Sequence, residues 1–463
     1  MQPSAIGHQP SAKASSRAER GIASSLIESP LPGESRSLAC RLGMTRFFPS
    51  RLPSPVSRLP LPSVTLAESY VQLVLALGQH DADYVDAYYG PPEWKAEAES
   101  VTVGLPEIER RAQELVAEVG DTPTLDPRRK AYLLGQLRAL VARVRMLRGT
   151  RFSFDEEARA LYGVTPPINS EQHFQDIVSR LDGMLPGRGP VPERYVSYRS
   201  QFVIPPARVD AVFQAAIVTG RERTSRHIPL PPNESFVVEY VTDKPWSGYN
   251  WYQGHYRSVI QVNTSLPIYI DRAVDLACHE GYPGHHVYNA LLERTLVREH
   301  GWVEFTVYPL FSPQSLIAEG TANYGIELAL PDDERGVFER EVLFPLADLL
   351  PSRVDEYYAI QMLVRELSYA GNEAARRYLD GEIDAAAAAL WLERYALMAP
   401  MVARQRIRFF DTYRSYVINY NLGQDLVRAY VERRGGPSAD RRWVVFAELL
   451  SSPTLPSSLK PDA

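Results

Sequence analysis

The stretch Asp275-Leu276-Ala277-Cys278-His279-Glu280-Gly281-Tyr282-Pro283-Gly284-His285-His286 constrains this chain more than any other. A helix is expected to start near Asp271 and carry it. Pro283 lacks an amide hydrogen, so in a regular helix the carbonyl of His279 would lose its partner and meet the proline ring. Gly284 permits backbone angles that other residues resist. The helix is therefore expected to break at Pro283-Gly284, so that the chain beyond is re-aimed. Three of the nine histidines fall within eight residues here, and one is followed directly by a glutamate.

Neutral imidazole is a good ligand for zinc-like metals. A neighbouring carboxylate can take a proton from water held by such a metal. The familiar peptidase helix places two histidines at i and i+4, with a glutamate after the first. Here the i+4 position is Pro283. Excising Pro283-Gly284 leaves His-Glu-Gly-Tyr-His, which restores that spacing and makes His285 the second ligand beside His279. In an unbroken helix the count favours His286 instead, because i+7 returns to within roughly 20° of the starting face. The expected break favours His285. Catalytic zinc usually takes three protein ligands. Glu319, in Leu316-Ile317-Ala318-Glu319-Gly320-Thr321-Ala322-Asn323-Tyr324, is the candidate third. Its neighbours are apolar and small, so a carboxylate there needs a partner, and a second helix can approach closely. Glu327 lies more than two turns on and suits either a supporting contact to a ligand or a structural pair. Asp275 is placed either to orient a ligand imidazole or to serve as a solvated carboxylate.

The remaining chain reads as mainly helical (α+β), a single domain over 64–453. Apolar stripes mark helices at 66–77, 105–119, 126–148, 154–162, 169–185 and 205–226, then 313–329, 334–349, 352–370, 372–380, 383–395, 400–431 and 438–451. Between Ser235 and Thr264, β-formers and aromatics predict two or three short strands, a small antiparallel insert just before the histidine helix. Residues 1–63 hold 13 Ser and nine Pro and carry eight Lys/Arg against three Asp/Glu, leaving the rest of the chain at −11 of the total −6. That segment is expected to be disordered or an over-extended start, with translation from Met44 preferred to an organelle transit peptide. Residues 454–463 should fray. The acidic body argues against a nucleic-acid partner, and no apolar run is long enough to span a bilayer. No secretory signal is legible, so the expected location is cytoplasmic. Two cysteines, Cys40 and Cys278, argue against a disulfide framework.

His-Glu-x-x-Pro-Gly-His-His followed by Glu-Gly-x-Ala-x-Tyr resembles the bacterial family labelled domain of unknown function 885. That family is similar to the gluzincin peptidases. The resemblance covers about 65–452. It implies His279, His285 and Glu319 as ligands of one Zn2+ per chain and Glu280 as general base, with His286 at a less strict position open to substrate contact. Thr321 stands where the family often has Trp. It further implies helices walling a deep cleft that favours short or flexible peptides.

Two other segments are candidates for lining the site. His255–Asn263 is a possible edge strand for an extended substrate. In Tyr413-Arg414-Ser415-Tyr416-Val417-Ile418-Asn419-Tyr420, either Tyr416 or Tyr420 is suited to donate to a developing oxyanion, and Arg414 to hold a substrate carboxylate. With 26 tyrosines in the chain, most simply pack. The expected activity is zinc-dependent hydrolysis of a peptide or small amide. The alternative is a former peptidase scaffold that binds metal without catalysis. A carboxylate-rich iron or manganese oxidase would need two Glu-x-x-His pairs, which the chain does not show.

Overall fold

The computed structural model describes residues 65–461 except Pro245 and Leu266. The expectations for 1–63 and for the last two residues lie outside that range. The described residues belong to one compact unit spanning 62–463. Its architecture is mainly helical, as the periodicity predicts. The helix Pro127–Leu147 illustrates why. Asp126 caps it by accepting from the Arg129 amide at 2.9 Å, and its stripe of Tyr132, Leu133, Leu137, Leu140, Val141 and Val144 is buried. Among the described residues, no helix is long and apolar enough to cross a membrane.

The β insert is present but is not purely antiparallel. Strand β2 (Ser235–Val241) runs parallel to β4 (Arg257–Asn263), and β3 (Gly248–Gly254) runs antiparallel to β4, in the order β2-β4-β3. The β3–β4 turn uses positive φ at Gly254, His255 and Tyr256. Glu293 fixes it by accepting from the amides of His255 and Tyr256 and from the Tyr252 hydroxyl. His255–Asn263 is therefore a hairpin turn and a central strand with both edges taken. The edge strands are β2 and β3, and it is the start of β3 that lines the cavity described below.

A second pairing was not legible in the sequence. β1 (Val85–Tyr88) joins β5 (Val307–Pro309) antiparallel across more than two hundred residues. The expected 400–431 helix is also two. Pro400–Tyr413 stops at Arg414, whose φ is 51°, a 3-10 turn follows, and Ile418–Gly435 resumes. The cause is Glu157, buried on the Phe154–Tyr162 helix. It accepts from Arg414 Nε at 2.6 Å, Ser415 N at 3.0 Å and Ser415 Oγ at 2.7 Å, and so takes, with the Ser415 amide, a hydrogen bond that a continuous helix would make internally.

The helices Pro313–Ala329 and Ile418–Gly435 cross almost backbone to backbone. A methyl group on Gly320 would lie 2.5 Å from the Gly423 backbone, and one on Gly423 would lie 2.7 Å from the Leu316 carbonyl oxygen. Only glycine at both positions allows this approach.

Candidate metal centre

The histidine helix does break where the proline requires. Asp271–Leu276 is α-helical, Ala277–Gly281 is a π-turn, Tyr282 is extended, and a new helix runs His285–Leu292. The Tyr282–Pro283 peptide is cis. A methyl on Gly284 would overlap the carbonyl oxygens of Cys278 and His279, so the turn needs glycine on contact grounds alone. The break leaves the Glu280 carbonyl without a helical partner, and Asn250 of β3 supplies one, its Nδ2 donating at 2.6 Å.

The result is a convergence of ligand atoms. Nε2 of His279 and Nε2 of His285 lie 3.2 Å apart. Oε2 of Glu319 lies 3.3 Å from the first and 3.8 Å from the second. That oxygen is buried and has no hydrogen-bond partner. The other oxygen, Oε1, accepts from the Tyr416 hydroxyl at 2.7 Å. His279, Glu280 and His285 present donor atoms all within 4.8 Å of one another. Asn323 sets the tautomer of His279. Its Nδ2 donates to the Tyr420 carbonyl at 2.8 Å, so its Oδ1 accepts from His279 Nδ1 at 2.9 Å, which leaves the Nε2 lone pair facing Glu319.

These residues fit zinc. Tetrahedral bonds of about 2.05 Å put neighbouring ligand atoms about 3.3 Å apart; the His279–His285 and His279–Glu319 separations of 3.2 and 3.3 Å match that spacing, and the His285–Glu319 separation of 3.8 Å is wider. Burial by itself would lower the His285 pKa, but the Glu319 carboxylate beside it, with the charges of Glu280 and Asp86, lifts it to about 9. Burial would raise the Glu319 carboxyl, yet His279 and His285 hold it well below the usual carboxylate range. The cluster thus carries positive charge facing a fixed anion, which a divalent cation can replace.

A cavity of about 900 Å³ opens over the cluster. Glu280 projects into it beside β3. A methyl on Gly248 would lie 2.8 Å from Glu280 Oε1, so Gly248 is the strand residue against the glutamate rather than a turn glycine. Tyr420 lines the cavity and makes no hydrogen bond through its hydroxyl among the described residues. Tyr416 differs, since its hydroxyl is committed to Glu319 and holds that carboxylate instead of standing free as an oxyanion donor.

Two expected substrate contacts are corrected. His286 is fully buried and faces away from the cavity, with Nδ1 2.9 Å from Ser258 Oγ and Nε2 2.9 Å from Glu234 Oε2. It ties the second helix to the sheet, because the break turns residue 285 toward the cluster and 286 toward the core. Arg414 is held by Glu157 at the helix kink and does not line the cavity. Asp275 pairs with Arg335 at 2.9 Å and Arg272 at 3.3 Å, so Asn323 rather than Asp275 orients His279. Glu327 pairs with Arg428 and Gln424, a structural role.

Sequence reasoning missed Asn323, Asp86 and Tyr308. Asn323 follows Glu319 by four residues, so it shares a helix face, and that spacing is a usable signal. Asp86 and Tyr308 reach the cavity through the β1–β5 pairing. Burial raises the Asp86 carboxyl to about 6, helped by Glu319 and Glu280 and opposed by His285 and a Tyr249 hydrogen bond.

No family model matches the chain, and no curated protein matches it. Two solved structures are similar in outline. One is the crystal structure of a protein called "putative lipoprotein" from Colwellia psychrerythraea, 16% identical, covering 85% of this chain and 74% of that one with a TM-score of 0.47. The other is a "putative lipoprotein of unknown function" from Shewanella oneidensis, 15% identical, covering 80% and 75% with a TM-score of 0.42. Similarity at that level carries no argument about fold or chemistry, so the motif resemblance rests on the residues themselves.

Proposed function

We propose that the chain is a zinc-dependent hydrolase of amide bonds, acting on short or flexible peptides. The observation that carries the reading is the convergence of His279 Nε2, His285 Nε2 and the unpartnered Glu319 Oε2, with Glu280 beside them at the floor of a cavity. Zinc in a three-ligand site supplies Lewis acidity that polarises a carbonyl and lowers the pKa of water toward roughly 7.

The chain's own residues supply the rest. Glu280 takes the proton from the attacking water and delivers it to the leaving amine nitrogen. Its position is fixed by the π-turn, by Asn250 on its carbonyl and by the close wall at Gly248. Tyr420, with its hydroxyl uncommitted, donates to the carbonyl oxygen as negative charge develops. Asn323 and Tyr416 hold His279 and Glu319 in place. The outer edge of β3, from Gly248 to Asn250, offers backbone groups to an extended peptide.

Glu280→Gln tests this directly. The zinc-loaded variant should keep its metal but lose at least about 100-fold in hydrolysis of a mixed peptide library. Hydrolysis that persists with metal retained would show the assigned base to be wrong. Zinc binding with no hydrolysis by the unaltered chain would favour the alternative, a metal-binding scaffold.

A further inference from the structure

Five arginines line the cavity, Arg199, Arg272, Arg335, Arg365 and Arg406. Four are neutralised in place. Arg199 pairs with Asp271 at 2.9 Å, Arg272 with Asp275 at 3.3 Å, Arg335 with Asp275 and Glu339 at 2.9 Å each, and Arg365 with Asp332 at 3.0 Å. Arg406 has no carboxylate partner among the described residues. Its Nε is buried without an acceptor, and its guanidinium lies over the Phe409 ring, 4.2 Å from the centroid. Burial holds its pKa below the usual arginine value, with only Tyr420 opposing.

The sequence around it explains the isolation. On the helix Pro400–Tyr413, the positions three and four residues either side are Val402, Ala403, Phe409 and Phe410, none of them acidic. A half-buried cation without a counter-ion is a standing cost, and such costs persist where function uses them. The cavity is polarised as a consequence. Glu280, Glu319 and Asp86 gather at the metal cluster. Tyr420 lies within reach of the charges of Glu319 and Glu280 and also of Arg406, whereas Arg406 itself feels only Tyr420, so the unpaired cation stands on the cavity wall beyond Tyr420 from the reacting centre.

We infer that Arg406 receives the free terminal carboxylate of the peptide, so that the chain takes short peptides by their C-terminus. This rests on the peptide-hydrolase reading above. A guanidinium fork matches a carboxylate in two parallel hydrogen bonds. The terminal carboxylate is also the one anion that every unblocked peptide carries near a scissile bond.

The test uses the zinc-loaded full chain and three N-acetylated tripeptides: Ala-Phe-Leu with a free carboxylate, the same peptide as its amide, and Ala-Phe-Glu amide. The free acid should exceed its amide in kcat/KM by roughly tenfold or more. That ratio should collapse toward one in Arg406→Gln and be partly kept in Arg406→Lys. An unchanged ratio in Arg406→Gln would overturn the assignment while leaving the hydrolase reading standing. So would a preference for the Glu amide that Arg406→Gln abolishes. If no peptide is cleaved, the hydrolase reading fails separately, and calorimetry of the same peptides still decides. Tighter binding of the acid than the amide, lost in Arg406→Gln, keeps the carboxylate role, whereas equal binding removes it. The melting temperature of Arg406→Gln should be unchanged or higher, since a desolvated charge is removed. A fall of several degrees with an unchanged ratio would identify a packing role instead.

Discussion

Gly320→Ala should damage the proposed metal centre without touching any of its candidate ligands. The new methyl would stand 2.5 Å from the Gly423 backbone, where carbon contacts need about 3.5 Å. The helices Pro313–Ala329 and Ile418–Gly435 must therefore separate by roughly 1 Å. Glu319 is the adjacent residue, and it sits between His279 at 3.3 Å and Tyr416 at 2.7 Å. Metal ligands tolerate only about 0.2 Å. Zinc affinity should fall at least about tenfold, read by competition with a chromophoric chelator. Overpacking costs about 1–3 kcal/mol, partly offset by alanine's better helix propensity of up to about 1 kcal/mol. With roughly 400 ordered residues and about 2.1 cal/mol/K each, a net 1–2 kcal/mol lowers Tm by only about 1–3 °C. Gly336→Ala, where a methyl meets nothing within 4 Å, is the control and should be neutral or slightly stabilising. Zinc affinity within threefold of the unaltered chain, with Tm matching the control, would refute the view that this close crossing positions Glu319.

Asn323→Ala frees the His279 ring and should weaken zinc binding about 10–100-fold with little change in Tm, measured by the same competition and by thermal melting. Gly284→Ala should abolish stoichiometric zinc binding, by metal analysis, because the turn that delivers His285 has no room for a methyl. In chelator-stripped protein, His285 is raised from about 6.5 unfolded to about 9 folded. Its pairing with Glu319 therefore stabilises fully below pH 6.5 and is lost as pH rises through about 9, so Tm of that form should decline across that window. Zinc must displace the same proton, so apparent affinity should rise about tenfold per pH unit from 7 toward 9, with close to one proton released on binding by calorimetry in two buffers. Glu157→Ala removes the acceptor for Arg414 and Ser415 and leaves that arginine unpaired. It should cost roughly 3 kcal/mol in denaturant unfolding, with loss of the kink that places Tyr416.

Much of the site was legible because its constraints are local. Pro283 and Gly284 dictate a helix break by chain geometry, and the break alone argues that residue 285 rather than 286 faces the ligand at 279. Glu319 stands out as a carboxylate among small apolar neighbours, and Gly320 announces a close helix crossing. Helix periodicity likewise makes the mainly helical class readable from burial patterns repeating every three to four residues. What local pattern does not carry is pairing at a distance. Asp86 enters the cavity only because β1 finds β5 across the chain, and β2 and β3 become edge strands only because β4 inserts between them. The helix expected to run through Arg414 is cut by a buried glutamate more than 250 residues earlier, and that partner turns Arg414 from a candidate substrate contact into a structural one. Tyr416 and Tyr420 look alike in sequence. The tertiary structure separates them, because a hydroxyl is spent when a carboxylate oxygen, here Glu319 Oε1, lies within hydrogen-bond reach and free when none does. Sequence thus determined which residues can do the chemistry, through backbone restriction and side-chain type. Tertiary structure decided which of them are available, because availability depends on partners that only the folded chain brings together.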